Sequence, residues 1–443
     1  MELIDKKDHD LRKIITYKFD VKKEDKMSNK DPNAIRFRQI IPSVCASLVG
    51  LPFGLMLGWP SPTNPILMDA DSPIPITMDQ SAMIAGFLMI GNALGTPFCR
   101  KIFFKSKFGI IVGITLITSG WILMWQAQNI FWLLGSRLLV GFGNAYGYGQ
   151  LKIYIQDTCD EDLGIILIKL TNLYVLLGII IIFSFGPFID FRQTSVVCSL
   201  ISFIVFFVLL LLPNQGNARV TKQVSLLSLF KDKTVRIVFL KFNVLVFCQQ
   251  FTGAPATIIY TQILFRESHC SYPQYLAIAY AIVLFICNVI GIFLILVFNK
   301  RKLLLVSTFS VILTVLIHIL ILYFNVNNVY WSYTSAVVLF SFIIVHSLGL
   351  GSVPVTLIPD LFPVSYRDCV THVYIVFHSL LALLITKIFQ ILLTKYDVKT
   401  PFYLFLCISS FAFIFIYFFM CVETRTEVTF NKKNDKIKID INT

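Results

Sequence analysis

Uncharged amides are set into runs of this chain that are otherwise apolar. Gln249 and Gln250 lie within residues 236–262, Asn288 within 274–298 and Asn172 within 164–188. A side-chain amide donates and accepts hydrogen bonds without an ion's desolvation cost, so its chemistry is recognition of other neutral polar groups. The plainer use of such amides is to hold helices together, often for about 0.6 kcal/mol each. Adjacent glutamines cannot share one helix face, so Gln249 and Gln250 differ in role. No Ser/His/Asp arrangement, phosphate loop or metal-ligand spacing accompanies them, and the ten cysteines form no CxxC pair. Neither catalysis nor a metal nor a cofactor is expected.

Glycine and proline recur in every third apolar run. The first carries Gly50, Pro52, Gly54, Gly58, Pro60 and Pro62; the fourth carries Gly141, Gly143, Gly147 and Gly149. The seventh has Gly253 and Pro255, and the tenth has Gly349, Gly351, Pro354 and Pro359. In lipid a weakened helix is tolerated where protein or a water-filled cavity re-satisfies its backbone. The rhythm therefore predicts the pseudo-symmetric repeat of a secondary transporter, with the weak members lining its path. Gly351 and Pro354 are expected to let the tenth run bend as a gate, as Gly253 and Pro255 do in the seventh. In the fourth run the glycines also admit a simpler reading, close helix packing.

The elements that must position these residues follow from composition. Of 443 residues, 56% are hydrophobic and only 14% charged, against about a quarter charged in soluble domains. Apolar runs of roughly 20 residues, each able to cross a bilayer, fall at 39–60, 80–99, 108–127, 130–151, 164–188, 194–213, 236–262, 274–298, 303–324, 331–358, 367–394 and 400–421. The fold class is an all-α membrane protein with about twelve spans. Residues 1–37 are polar and read as a disordered tail with no cleavable signal. Basic residues crowd that tail, the stretches after the second, sixth and eighth spans, and the tail after the twelfth. The positive-inside bias puts both termini in the cytosol, and membrane topology thus accounts for the net charge of +13. The bases form no single stripe with aromatics, so nucleic acid is not an expected partner. Cys270 is expected on the outer side without a disulfide partner, and Trp121, Trp125 and Trp132 as an interfacial belt. Lys169 is read as snorkelling to the cytosolic edge, while an inward orientation is open to Lys387 and His378, the latter a poor candidate without an acid beside it.

Ordered motifs carry a resemblance. They are Gly58-Trp-Pro-Ser-Pro62, Ser136-Arg-Leu-Leu-Val-Gly141, Gln249-Gln-Phe-Thr-Gly253 and Gly349-Leu-Gly-Ser-Val-Pro354 with Asp360-Leu-Phe-Pro363. Ile385-Thr-Lys-Ile-Phe-Gln390 and Glu423-Thr-Arg425 complete the set. The chain resembles sugar porters of the major facilitator superfamily, and is most similar to insect facilitated trehalose transporter-like proteins. The resemblance implies two pseudo-symmetric six-helix bundles, 38–213 and 236–421, joined by a cytosolic linker at 214–235 and followed by a cytosolic tail at 422–443. It implies sugar contacts at Gln249, Gln250 and Asn288 from the second half and at Asn172 from the first. It also implies a cytosolic charge network in which Asp157 and Asp360 pair with Arg100 and with Arg367 or Lys300.

Departures from the family matter as much. Pro255 stands where the family has an asparagine, and Val355 where it has a tryptophan. The basic-and-acidic motif after the second span is eroded to Cys99-Arg-Lys-Ile-Phe-Phe-Lys105, and the matching one after the eighth to Asn299-Lys-Arg-Lys302. A thinner lattice at that end is expected to disfavour outward-facing states. Span 1 has Met56 and no acid between Cys45 and Pro62, so facilitated diffusion is expected rather than proton coupling. The expectation is a plasma-membrane uniporter for a neutral sugar, trehalose or a hexose, with the lipid bilayer around it and no obligate protein partner. Its rivals are a sugar sensor or binding protein that no longer transports, and a carrier of a non-sugar solute suited to the more apolar Pro255/Val355 surroundings.

Overall fold

The computed structural model of the chain describes residues 32–99, 106–159, 161–213, 228–324 and 329–420. Every regular element among them is a helix, and the helices line up as twelve rods. Eleven of the rods are long and apolar enough to cross a bilayer. The twelfth, span 4, is the 29-residue helix Ile130–Thr158. Its glycines, with Arg137, Asn144, Gln150 and Lys152, dilute its hydropathy. A helix shielded by neighbours on most sides has no need of an apolar surface. Span 1 runs past its expected end to Leu67, in the pieces Pro32–Ser47, Gly50–Gly58 and Pro60–Leu67. The architecture is the expected one, two six-helix bundles of the major facilitator fold.

Each half has its own apolar interior. In the first half Leu55 and Trp59 of span 1, Ile114 and Ile117 of span 3, and Phe183 and Phe191 share one buried cluster. In the second half a corresponding cluster draws on Phe242, Tyr260, Phe265, Phe389 and Phe405. The halves meet where span 2 (Met78–Cys99) packs on span 11 (Val364–Lys395) and where span 5 packs on span 8 (Pro273–Val297). Ala277 and Ala281 of span 8 accordingly enter the first cluster, and Ala85 of span 2 enters the second.

Small residues set the spacing of the first half. A Cβ on Gly141 would run into the Leu88 carbonyl oxygen and lie 2.8 Å from the Asn92 nitrogen. A Cβ on Gly113 of span 3 would stand 2.6 Å from the Gly147 Cα. Backbones that approach this closely gain dispersion contact that lipid cannot match, which is what drives helix association in a membrane.

With an even number of rods, residues 32 and 420 lie at one end of the bundle, here called the near end. Among the described residues, polar bonds join the halves towards the far end. The Gln262 backbone N–H donates to Ser61 Oγ at 3.2 Å. Lys387 Nζ reaches Asp79 Oδ1 at 2.8 Å. Deeper in, Asn92 Nδ2 donates to Ser379 Oγ at 2.8 Å.

Two expectations need correction. Trp121 is not part of an interfacial belt: it is fully buried, whereas Trp125 and Trp132 are exposed. Trp121 shares a helix face with Trp125 but lies one turn further in, deep enough to join the first half's buried cluster, whereas Trp125 ends the helix. Cys270 is also buried rather than presented outward, with its Sγ 3.4 Å from the Ser332 carbonyl. Burial pushes that thiol above its usual range, which keeps it protonated and unreactive.

Candidate functional site at paired helix breaks

Span 7 begins as Lys233–Phe251 and stops just after the glutamine pair. Gly253 takes φ +96°, a conformation that costs a side-chain-bearing residue about 1–2 kcal/mol. Thr252 Oγ1 and the Gly253 N–H bond back to the Gln249 and Gln250 carbonyls. A new helix, Ala254–Ile259, then starts with Pro255 in its first turn. Proline's fixed φ suits that position and its missing N–H costs nothing there. Pro255 thus acts as a helix starter.

Span 10 breaks more thoroughly. After Val329–His346 the chain widens into a π-helical turn, Ser347–Gly351, then resumes as the short helices Val353–Thr356 and Ile358–Leu361. Pro354 and Pro359 each occupy a first turn of those pieces. The carbonyls and N–H groups released by the break find side chains. The Leu350 N–H donates to Ser307 Oγ at 3.0 Å, and that hydroxyl donates to the Val345 carbonyl at 2.6 Å. Ser352 Oγ donates to the Ser347 carbonyl at 2.5 Å, and Lys300 Nζ to the Thr356 carbonyl at 2.9 Å. The remaining donor comes from span 7: Gln249 Nε2 reaches the Gly351 carbonyl at 2.8 Å. Broken backbone at membrane depth survives only when it is compensated in this way.

The two glutamines differ, as their adjacency requires. Both are buried, at 5% and 3% exposure, and so turn inward rather than to lipid. Gln249 spends its N–H on the neighbouring break and leaves Oε1 without a partner among the described residues. Gln250 Oε1 has no partner there either. An unsatisfied buried carbonyl costs about 1–3 kcal/mol, and it is retained where something else comes to bond it.

Asn288 donates to the Leu284 carbonyl of its own helix at 2.8 Å. Its side of span 8 is fixed by Gly291, one turn on, where a Cβ would stand 3.1 Å from Ser352 Oγ and 3.4 Å from the Ser347 carbonyl. Gln249 and Gly291 therefore meet the span 10 break, with Asn288 one turn from Gly291 on span 8. Asn172 is exposed, one turn from Leu176, and Leu176 packs against the second half's cluster. It lies on the side of span 5 turned towards the other half, apart from the glutamines.

Of the expected charge network, Asp360 pairs with Lys300 and not with Arg367. Arg367 donates to the Pro359 and Phe362 carbonyls, capping the end of span 10. Asp157 sits in the last turn of span 4, and Arg100 lies outside the described residues. Lys387 points to Asp79 and to Gln390 Oε1 at 2.9 Å, and His378 rests against Tyr374, their rings 5.3 Å apart. Sequence reasoning missed Ser307 and the Lys300–Thr356 bond. The hydroxyls of Ser307, Thr308 and Ser310 in an otherwise apolar span are the available signal.

Comparison with known proteins fits this geometry. The family described as "Sugar (and other) transporter" matches residues 214–432. The facilitated trehalose transporter Tret1 of Apis mellifera ligustica is 22% identical over 438 residues, covering 87% of this chain and 86% of that protein. Among solved structures, a D-xylose–proton symporter superposes with a TM-score of 0.72 at 14% identity, covering 85% of this chain and 97% of that one. A mutant form of the nucleoside transporter NupG follows with a TM-score of 0.65 at 13% identity, over 86% and 100% of the two chains. Sugar and nucleoside carriers share this frame, so the frame alone does not choose a substrate.

Proposed function

We propose that this chain, a divergent sugar porter of the major facilitator superfamily, carries a neutral sugar across a membrane by facilitated diffusion and alternating access. The observation that carries this reading is the placement of Gln249 and Gln250. Two buried amides stand beside two helix breaks, and each leaves a carbonyl oxygen unmatched among the described residues. Sugar hydroxyls donate to such oxygens without bringing a charge to be desolvated. The trehalose and xylose carriers among the similar proteins point to the same class of solute. Trehalose or a hexose is the proposed cargo.

Gln249, Gln250 and Asn288 bind from the second half, and Asn172 meets the same solute from the first. Gly253 with Pro255, and Gly351 with Pro354, are the hinges. The near end is the cytosolic one, because the basic tails and loops belong to it. The far-end ties at Asp79–Lys387 and Ser61–Gln262 then hold the outer side together in this conformation. Asp157, Asp360, Arg100 and Arg367 lie at the end that must close when the carrier turns outward. The plasma membrane is the proposed location, and bilayer lipid the only standing neighbour.

Uptake of radiolabelled trehalose and glucose into oocytes, against uninjected cells, tests the reading. Saturable uptake of at least one, with counterflow, is expected. A Gln250→Ala variant at equal surface level loses it. Tight sugar binding without any flux would sink the carrier and leave a sensor.

A further inference from the structure

The first half holds a cation that the sugar path does not use. Arg137 of span 4 is fully buried, about 10 Å below the far end of its helix, seven residues on from Ile130. Among the described residues no acid pairs with it; its Nη1 donates to the Met56 backbone carbonyl. Nε and Nη2, which form the other edge of the guanidinium, have no partner there. The group lies over the Trp59 ring, 4.6 Å from its centroid, and the Trp59 indole N–H is also unpartnered. Trp121 is a further buried indole whose N–H lacks a partner. It follows Gly120, whose backbone packs against Ser136 and Val140 on either side of Arg137.

The unmatched atoms of Arg137, Trp59 and Trp121 are all donors. Arginine and indole have nothing to accept with, so they call for a ligand that only accepts. A full charge at membrane depth is costly until something opposes it, and water fills the donors without neutralising the charge. An open pocket of about 380 Å3 lies at the far end of the same spans, lined by Trp125, Gln126, Gln128, Trp132 and Arg192. Arg192 stands exposed in its wall, with Nη2 3.4 Å from the Ala127 carbonyl. A cation at the mouth and a second below it form an electrostatic funnel for one sign of charge.

We propose that Arg137 is the floor of a binding site for a small monovalent anion in the first half, entered from this pocket. The free Nε–Nη2 edge chelates a halide or takes a planar oxyanion side-on. Arg192 gathers the anion from solvent, and Trp59 and Trp121 complete the shell. The bound anion supplies the negative charge that span 1 lacks beside Arg137. The site is separate from the glutamines of span 7.

The test uses the full chain, purified in detergent at constant ionic strength, with gluconate exchanged stepwise for chloride, nitrate or formate. Gluconate is too large to enter. At least one small anion is expected to raise the melting temperature saturably and to change tryptophan emission in parallel. A preference for chloride assigns a spherical ligand, and one for nitrate or formate a planar one. Arg137→Met removes both responses, Trp59→Phe reduces the emission change, and Asp79→Asn keeps both. A wild-type melting temperature indifferent to all three anions overturns the proposal, whether or not the Arg137 variant folds. So does an undiminished response in Arg137→Met.

Discussion

Spans 4 and 10 hold equivalent places in the two halves, and both are rich in glycine, yet one is a rigid rod and the other is broken. In span 4 the glycines from Gly141 on face another helix, while Gly135 meets nothing: Gly141 meets Leu88, Gly143 meets the Gly113 carbonyl, and Gly149 meets Cys99. Neighbouring backbone holds the helix straight over 29 residues. In span 10 Gly349 likewise fits against Ser307, but Gly351 has only the His346 side chain and its carbonyl near it. Prolines follow at once, and polar side chains wait to bond the loosened backbone. Glycine content alone therefore does not mark a break in a helix. Glycine followed by proline, with hydroxyl or amide groups opposite, does.

The largest expected effect tests the rod. Gly141→Val forces two backbones apart, because neither the Leu88 carbonyl nor the Asn92 N–H can give way. Overpacking of this kind costs about 3 kcal/mol or more. Size-exclusion chromatography should show no monodisperse protein. A folded, transporting Gly141→Val variant would mean that span 4 bends like span 10. By contrast, Gly351→Ala adds a Cβ 3.1 Å from His346 Nδ1, a contact that a side chain can relieve. Its melting point should stay near wild type while the maximal uptake rate falls about tenfold, the equivalent of about 1.4 kcal/mol on the conformational barrier.

Gly253→Ala comes next. It combines the strained φ of +96° with a clash against the Phe405 ring, and should destabilise by about 2 kcal/mol. Thermal unfolding of the purified variant measures this. Substituting Pro255 by Ala should cost less than about 1 kcal/mol, since it removes only a pre-set first turn.

The glutamine pair then sharpens the comparison between a structural amide and a binding one. Gln249→Ala removes the donor to Gly351 and orphans a carbonyl at the break, for about 1–3 kcal/mol of stability. Gln250→Ala removes an unmatched carbonyl and should leave the melting point unchanged or slightly higher, with uptake abolished. Equal melting points for the two variants would erase the distinction.

How much of this is legible in the sequence depends on the kind of contact involved. Spans, glycine–proline rhythm and the inward turn of Gln249 and Gln250 are local or periodic properties, and residue types alone carry them. Span 4 can be recognised from its run and its resemblance although its hydropathy is diluted by polar residues. The state of its glycines is not legible, because a packing glycine and a hinge glycine are the same letter until the opposing helix is known. The partners of Lys300, Lys387 and Arg137 lie 56 to 308 residues away. A single sequence does not say which element will stand opposite at such separations. Trp121 is misplaced by the sequence for the same reason: proximity to a span end says nothing of which face is covered.

The smallest effect concerns the far-end tie. Asp79 and Lys387 sit at 2.8 Å, but Asp79 is 71% exposed and Lys387 38%, so solvent screens most of the attraction between them. Asp79→Asn should leave thermal stability within error of wild type. Its effect is on the balance of states, because the pair exists only while the far ends are together. Loss of even a weak tie on one side moves that balance, here by an expected factor of about three. Cysteines at 152 and 368, two near-end positions within electrostatic range across the halves, should then cross-link about three times faster in Asp79→Asn than in the parent. Raising the salt concentration should shrink the difference, since exposed ion pairs are screened. Unchanged cross-linking would mean that the apolar contacts of span 2 with span 11 hold the far end shut by themselves. The halves would then differ only in their breaks and not in how they are tied.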